Sequence, residues 1–343
     1  MDEQNTISRR RFLRQTFAYS ALAALAPGSL LTAGAQAPPP DPNATHMFMI
    51  GDWGTDRYVP QQVNVSQSMQ TWMDRNHLTP NAMVLLGDNW YGKMHGGVND
   101  RRWADQFENM YPANKFPGPA YAVLGNHDYE KGKTDKVQLQ LDYPKSRQTR
   151  WTMPNRWYSM LYPQQNPVAK LIFLDSNLPG TKPFDPWPWS YLMSHEDADA
   201  QDQWFRAELA KPREAPFLIV IAHHPLFTNG VHRDNPVLIP RWDPLLRQAK
   251  VDFYITGHDH DLQHLEFEGH PTSFVISGGG GAELVDWSVD PRKRGPFGGK
   301  VLGFSHLELT KEAVTLRHIT LNAQELHTFR RTPDGKMTIL KAS

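Results

Sequence analysis

The chain of 343 residues contains no cysteine. Disulfide scaffolds, cysteine-ligated zinc or iron–sulfur sites and cysteine-nucleophile enzymes are therefore excluded. It also lacks an excess of either charge. Its 36 basic residues balance 36 acidic ones, so electrostatics gives no reason to expect a nucleic-acid partner or a polybasic membrane surface. No apolar run reaches the roughly 18 uninterrupted residues that a membrane span requires. The sequence carries no internal repeat, and its only low-complexity tract is a short Pro run. What it does have is a globular balance, 39% hydrophobic and 21% charged, together with 15 His, 11 Trp and 16 Phe. Many histidines in a chain without cysteine point to metal chemistry through nitrogen and oxygen donors.

The first forty residues read as an address. Ser8-Arg9-Arg10-Arg11-Phe12-Leu13-Arg14 precedes a short apolar stretch, and Ala35-Gln36-Ala37 offers small residues for cleavage before Pro38-Pro39-Pro40. Residues 1–37 are expected to be a twin-arginine export signal, 38–45 a Pro-rich linker and 46–343 a single domain. Removing the signal leaves 32 basic against 34 acidic residues. Such export moves folded proteins, which suits a chain that takes up metal and folds without disulfides in a reducing compartment. The expected product is exported, periplasmic or secreted. Its partner on the way out is the twin-arginine machinery, with no stable membrane insertion of the mature protein and no nucleic acid.

From His46 onward, short apolar runs repeatedly end in clusters of Gly, Asp, Asn or His. Met47–Ile50 leads to Gly51-Asp52-Trp53-Gly54, Ala82–Leu86 to Gly87-Asp88-Asn89-Trp90-Tyr91, and Ala120–Leu124 to Gly125-Asn126-His127-Asp128. Phe217–Ile221 leads to Ala222-His223-His224-Pro225, and Val251–Ile255 to Gly257-His258-Asp259-His260. Runs of this kind are what strands buried on both faces look like. Helices are expected between them. Val65, Met69, Trp72 and Met73 fall on one helical face. Trp204, Phe205 and Leu209 follow acidic residues suited to a helix start, and Pro244 suits the first turn of a helix carrying Leu245 and Leu246. The alternation argues for a layered α/β domain with its sites beyond the carboxyl ends of the strands. After Val301 the spacing of Phe304, Leu307, Leu309, Val314, Leu316 and Ile319 predicts antiparallel strands with one solvated face. The Pro- and Trp-rich stretch from Trp151 to Trp189 is expected to be a packed surface loop.

Together the strand ends offer Asp52, Asp88, Tyr91, Asn126, His127, His223, His258 and His260. Hard oxygens mixed with imidazoles suit iron, manganese or zinc. The donors are too many for one tetrahedral ion and about enough for two that share a bridging carboxylate. Two such ions can clamp an in-line displacement at phosphorus.

The order Gly-Asp-x-Gly, Gly-Asp-x-x-Tyr, Gly-Asn-His-Asp, a lone His and Gly-His-x-His resembles the metallophosphatase superfamily, and within it the purple, or tartrate-resistant, acid phosphatases. The resemblance covers roughly residues 46–335. It implies a single catalytic α/β domain, a layered β-sandwich flanked by helices (αββα). It implies that Asp52, Asp88, Tyr91 and His260 bind Fe(III). Asp88 would bridge to a second, divalent ion (Fe, Zn or Mn) held by Asn126, His223 and His258. His127 and His232 match the histidines placed beside the phosphate and the leaving group. Tyr91 supports the iron assignment on chemical grounds, because a phenol with a pKa near 10 needs a trivalent ion to hold it as tyrosinate.

Two positions depart from the family pattern. His224 stands where relatives often have Tyr; as strand neighbours His223 and His224 should face opposite sides, and the family's Gly-His-Tyr-Pro register implies that His223 is the ligand. Tyr129 replaces a His of the animal enzymes. His46, His77, His195, His264, His270, His306, His318 and His327 are expected to be surface or structural, and His95 is worth a test only because it follows Tyr91. The activity implied is an acid phosphatase, cleaving small-molecule phosphate monoesters by direct attack of a metal-bound hydroxide with an acidic optimum. The alternatives are a phosphodiesterase on nucleotides or lipid headgroups, and a non-catalytic metal- or phosphate-binding envelope protein.

Overall fold

The computed structural model describes residues 37–130, 135–181 and 193–342. The segment expected to be an export signal, up to residue 36, and the Pro186-Trp187-Pro188-Trp189 stretch lie outside the described residues. Fifteen strands are described. In chain order they are β1 (Thr45–Ile50), β2 (Ala82–Leu85), β3 (Ala120–Ala122), β4 (Trp151–Thr152), β5 (Tyr158–Tyr162), β6 (Ala169–Phe173), β7 (Phe217–Ile221), β8 (Phe253–Thr256), β9 (Leu262–Leu265), β10 (Ser273–Ser277), β11 (Phe297–Gly299), β12 (Gly303–Leu309), β13 (Val314–Thr320), β14 (Glu325–Arg331) and β15 (Met337–Lys341). They form two sheets, ordered β15-β14-β13-β12-β1-β2-β3-β4 and β11-β9-β10-β8-β7-β6-β5. In the first sheet β1, β2 and β3 run parallel, as do β6, β7, β8 and β10 in the second. Both sets of carboxyl ends thus open on the site.

The continuous apolar runs follow from burial on both faces. In β7, Phe217, Ile219 and Ile221 join the core between the sheets, while Leu218 and Val220 join a second core under the helices. β8 divides the same way, with Phe253 and Ile255 on one side and Tyr254 on the other. Alternation survives in side-chain direction, but both faces need apolar residues, so it vanishes from the sequence.

The helices are α1 (Val59–Asn76), α2 (Lys136–Ser146), α3 (His195–Leu209) and α4 (Leu238–Ala249). α1 buries Val65, Met69, Trp72 and Met73 as its spacing requires, and ends at His77 in the left-handed region. α3 is capped by Ser194, whose hydroxyl accepts from Asp197 N–H, with Glu196 and Asp197 set against the positive end of the dipole. The acidic residues therefore support this start, while Ser194 caps it. Phe205 packs edge-on to Trp242 of α4, joining the two helices over the second sheet. No helix among the described residues is long and apolar enough to cross a membrane.

Three local expectations need correction. Pro244 lies inside α4, six residues after its start, because Asn235 Oδ1 accepts from Val237 and Leu238 N–H and nucleates the helix earlier. β12 and β13 have no solvated face. Phe304 and His306 lie under α1, with Trp72 4.7 Å from the His306 ring, while Ser305 on the other face reaches Ser277 of the second sheet. The described part of the stretch after Trp151 is not one surface loop but carries β4, β5 and β6, because Tyr158, Leu171 and Phe173 serve the core between the sheets.

Candidate metal centre

Each donor sits at the first turn after a strand. Asp52, Asp88 and His258 have φ of 60°, 50° and 73°, a region costly for residues with a Cβ. Strain at three donor-bearing turns is held by their hydrogen bonds. Asp52 Oδ2 accepts from His258 N–H at 2.8 Å, and its Oδ1 lies 3.3 Å from the Tyr91 hydroxyl and 3.4 Å from His260 Nε2. Asp88 Oδ1 accepts from His127 N–H at 2.7 Å, and its Oδ2 faces His223 Nε2 at 3.4 Å. Gly51 and Gly257 let the two sheets meet here, since a Cβ on Gly51 would stand 2.9 Å from Gly257 Cα.

The imidazoles are aimed by their second nitrogens. His223 Nδ1 donates to the Leu86 carbonyl at 2.8 Å, and His260 Nδ1 to the Glu283 carbonyl at 2.5 Å. That leaves each Nε2 facing the carboxylates, the nitrogen a bound ion would take once its proton is displaced, the usual arrangement of a ligating histidine. His223 Nε2 lies 3.3 Å from Asn126 Oδ1 and 3.2 Å from His258 Nδ1, and His260 Nε2 lies 3.2 Å from the Tyr91 hydroxyl. Two clusters result, Asp52–Asp88–His260 and His223–His224–His258, each with donor atoms within 4.8 Å of one another.

The electrostatics calls for cations. Burial opposes a charge on His223, yet the Asp88 carboxylate holds its pKa up at about 9; burial and Asp52 act the same way on His260, also at about 9. Burial opposes the Asp88 charge too, but His223 and His127 hold it well below the carboxylate range. The Tyr91 phenol is driven well above its ordinary value by burial and by Asp88 and Asp52. Protonated imidazoles and phenol here stand in for ions that would displace those protons. The donor set fits two ions, an oxygen-rich one beside Asp52, Tyr91 and His260 and a nitrogen-rich one beside Asn126, His223 and His258, with Asp88 between them.

Two further histidines flank the donors. His127 stacks on Tyr91 with centroids 4.1 Å apart, and its Nδ1 hydrogen-bonds the Glu130 carboxylate. Glu130 in turn accepts from Gly92 N–H and Lys136 Nζ, both at 3.1 Å. His232 lies 4.1 Å from the His258 ring, with Nδ1 2.7 Å from Asp259 Oδ1.

Sequence reasoning missed Glu130, Asp259 and Asp128. The first two had signals: Glu130 stands three residues after His127 across a 3₁₀ turn, and Asp259 lies between two expected ligands. Asp128 is wholly buried and accepts from Gly125, Asn89 and Trp90 N–H, lacing the turn after β2 to the turn after β3. Burial, reinforced by Asp88, pushes its pKa up to about 6.

His223 and His224 do not face opposite sides as strand neighbours would. β7 ends at Ile221, so alternation no longer applies, and both rings turn toward His258 with centroids 5.0 and 4.3 Å away. His95 is exposed and does not line the cleft over the donors. That cleft has a volume of about 340 Å³ and is walled by Tyr58, Tyr91, His127, Glu130, His260 and Glu283. Tyr129 instead donates to the Asp175 carboxylate.

Residues 47–262 match the calcineurin-like phosphoesterase family. The chain is 28% identical over 312 residues to Purple acid phosphatase 4 of Arabidopsis thaliana, covering 84% of each protein. It is 26% identical over 308 residues to Tartrate-resistant acid phosphatase type 5 of Mus musculus, covering 83% of this chain and 90% of that one. Its fold matches GAP50, the anchor in the inner membrane complex of Plasmodium, with a TM-score of 0.66 at 22% identity, over 87% of this chain and 90% of the other. That last likeness speaks for the fold alone. The family match spans every turn that presents a donor, and the chain belongs to the calcineurin-like phosphoesterases, as a metal-dependent phosphoesterase similar to the purple acid phosphatases.

Proposed function

We propose that this protein hydrolyses phosphate monoesters as an exported acid phosphatase with Fe(III) in its oxygen-rich site. The observation that carries the reading is the Tyr91 hydroxyl lying between Asp52 Oδ1 and His260 Nε2, at 3.3 and 3.2 Å. Burial and two carboxylates resist ionisation of that phenol, and a trivalent ion is the partner that reverses their effect.

Asp52, Tyr91 and His260 would hold the ferric ion, Asn126, His223 and His258 a divalent one, and Asp88 would touch both. Once bound, the pair supplies polarisation of the phosphoryl oxygens and an acidified water. The chain's own groups do the rest. His127 has Nδ1 engaged by Glu130, so Nε2 is the nitrogen it offers to the substrate, 4.0 Å from Asp88 Oδ2. His232, anchored through Nδ1 on Asp259, offers its Nε2 from the opposite flank. From these positions they would stabilise the charge that develops on the phosphoryl group and pass a proton to the leaving oxygen. The twin-arginine segment accounts for the proposed export to the periplasm or beyond, after folding and metal uptake.

The test is phosphate release from an aryl monoester across pH, by metal-loaded wild type and His127→Ala in parallel. The expected result is hydrolysis that peaks in acid, a loss of about 10²–10⁴-fold in the variant, and equal metal content in both. A wild type that cleaves only diesters would transfer the reading to a phosphodiesterase. Ferric tyrosinate also predicts a broad visible band that Tyr91→Phe shifts or abolishes; colourless, fully active protein without iron would remove the iron assignment alone.

A further inference from the structure

We propose that His224 is an additional ligand of the divalent ion, a third imidazole that makes this site select zinc over manganese. The inference rests on the two-ion reading above and goes beyond the ligand set that the family resemblance implies.

Three observations support it. First, His223, His224 and His258 are all buried and bring nitrogen atoms within 4.8 Å of one another. Second, their ring centroids form a near-equilateral triangle with sides of 4.3, 4.9 and 5.0 Å. Three imidazoles sharing one ion at a Zn–N distance of about 2.1 Å place their ring centres about 4.5–5.2 Å apart, for angles between octahedral and tetrahedral. The two sides at His223 fall in that range and the His224–His258 side lies just below it. Third, His224 Nδ1 lies 2.8 Å from Ser176 Oγ, and the same oxygen accepts His224 backbone N–H at 2.8 Å. A ligating histidine is commonly fixed in this way through its other nitrogen. Held by Ser176, His224 would ligate through Nε2.

The chemical consequence lies in the donor count. Asn126 and Asp88 supply oxygen, and His223 and His258 supply nitrogen. A third imidazole gives nitrogen the majority. Imidazole suits zinc, whereas manganese and magnesium prefer carboxylate, carbonyl and water, and the general affinity order for divalent ions acts in the same direction.

The experiment uses the mature protein, chelated, loaded with one equivalent of Fe(III) and then offered equimolar Zn(II) and Mn(II). Retained metals are counted by mass spectrometry in wild type, His224→Tyr and Ser176→Ala, and Co(II) spectra are recorded for the same three. Wild type is expected to retain zinc over manganese by at least about 10-fold. His224→Tyr should reduce that preference by about 10–100-fold and change the Co(II) bands while iron stays bound. Ser176→Ala should reduce it less. Ser176→Ala leaves the His224 ring in place, so it stays informative if His224→Tyr does not fold. Unchanged Zn/Mn ratios and Co(II) spectra in the folded variants would overturn the proposal and leave His224 a packing residue. A wild type that binds no metal at all would instead overturn the two-ion reading on which the proposal rests.

Discussion

The histidines at the strand ends and those inside the sheets carry the same side chain toward opposite protonation states. At the site, Asp88 and Asp52 hold His223 and His260 at pKa values of about 9 against burial. In the interior, burial without a facing carboxylate of that strength takes over. His264, His306 and His318 are pushed well below 6.5 by burial first, with Arg331 adding to it at His264 and Arg317 at His306; His327 falls to about 3 through burial and His264. These interior rings pair with one another or with a serine, His46 with His306 at 3.0 Å, His264 with His327 at 2.9 Å and His318 with Ser305 at 2.8 Å. His264 also faces a carboxylate, Glu266 at 2.8 Å, and burial outweighs it. A histidine count therefore says little about chemistry until the carboxylates are placed. One population waits for cations, and the other tolerates no proton.

Removing the shared carboxylate breaks the comparison at its strongest point. Asp88→Ala should empty both sites and lower activity by more than ~10³-fold, measured as metal content and phosphate release. Metal loss from only one site would show that Asp88 does not lie between two ions. A smaller effect is expected one step outward. Glu130→Gln keeps the shape but weakens the grip on His127 Nδ1, so kcat should fall about 10–100-fold with KM and metal content little changed. Loss of metal in that variant would mean that Glu130 supports the donors as well.

The interior population gives the smallest effect and works on stability. A histidine whose folded pKa is depressed contributes its full stability above 6.5 and loses it as pH falls toward the folded value. Each such ring costs about 1.4 kcal/mol per pH unit below that point. Activity that peaks in acid would thus sit against an acid limit set inside the sheets. His318→Gln should make the decline of Tm between pH 6.5 and pH 4 shallower by the share of one proton. An identical decline in scanning calorimetry would show that His318 does not contribute to the limit.

Much of the site could be read in advance because each donor is local to its own strand end. An apolar run of five residues, buried on both faces, stops where Gly and Asp begin, and the chain then turns the next polar side chain out of the sheet. Asp52, Asp88, Tyr91, Asn126, His258 and His260 follow that rule, His223 ends such a run after Ala222 without a Gly or Asp, and α1 was legible because its apolar spacing is helical. Where a cap or a second covering layer decided, local pattern failed. Asn235 starts α4 ahead of Pro244, and α1 covers the face of β12 that alternation had assigned to water.

The sequence by itself determined which donors exist, their order and the strands that carry them, since strand burial and turn chemistry act over a few residues. Only the tertiary structure decided which groups meet. Two sheets must stack before Asp52 of one reaches His258 and His260 of the other, and before His224, past the end of β7, turns toward His258. The physical reason is that these distances span up to 208 positions of chain, where neither local propensity nor periodicity acts, and packing of the two sheets alone sets them.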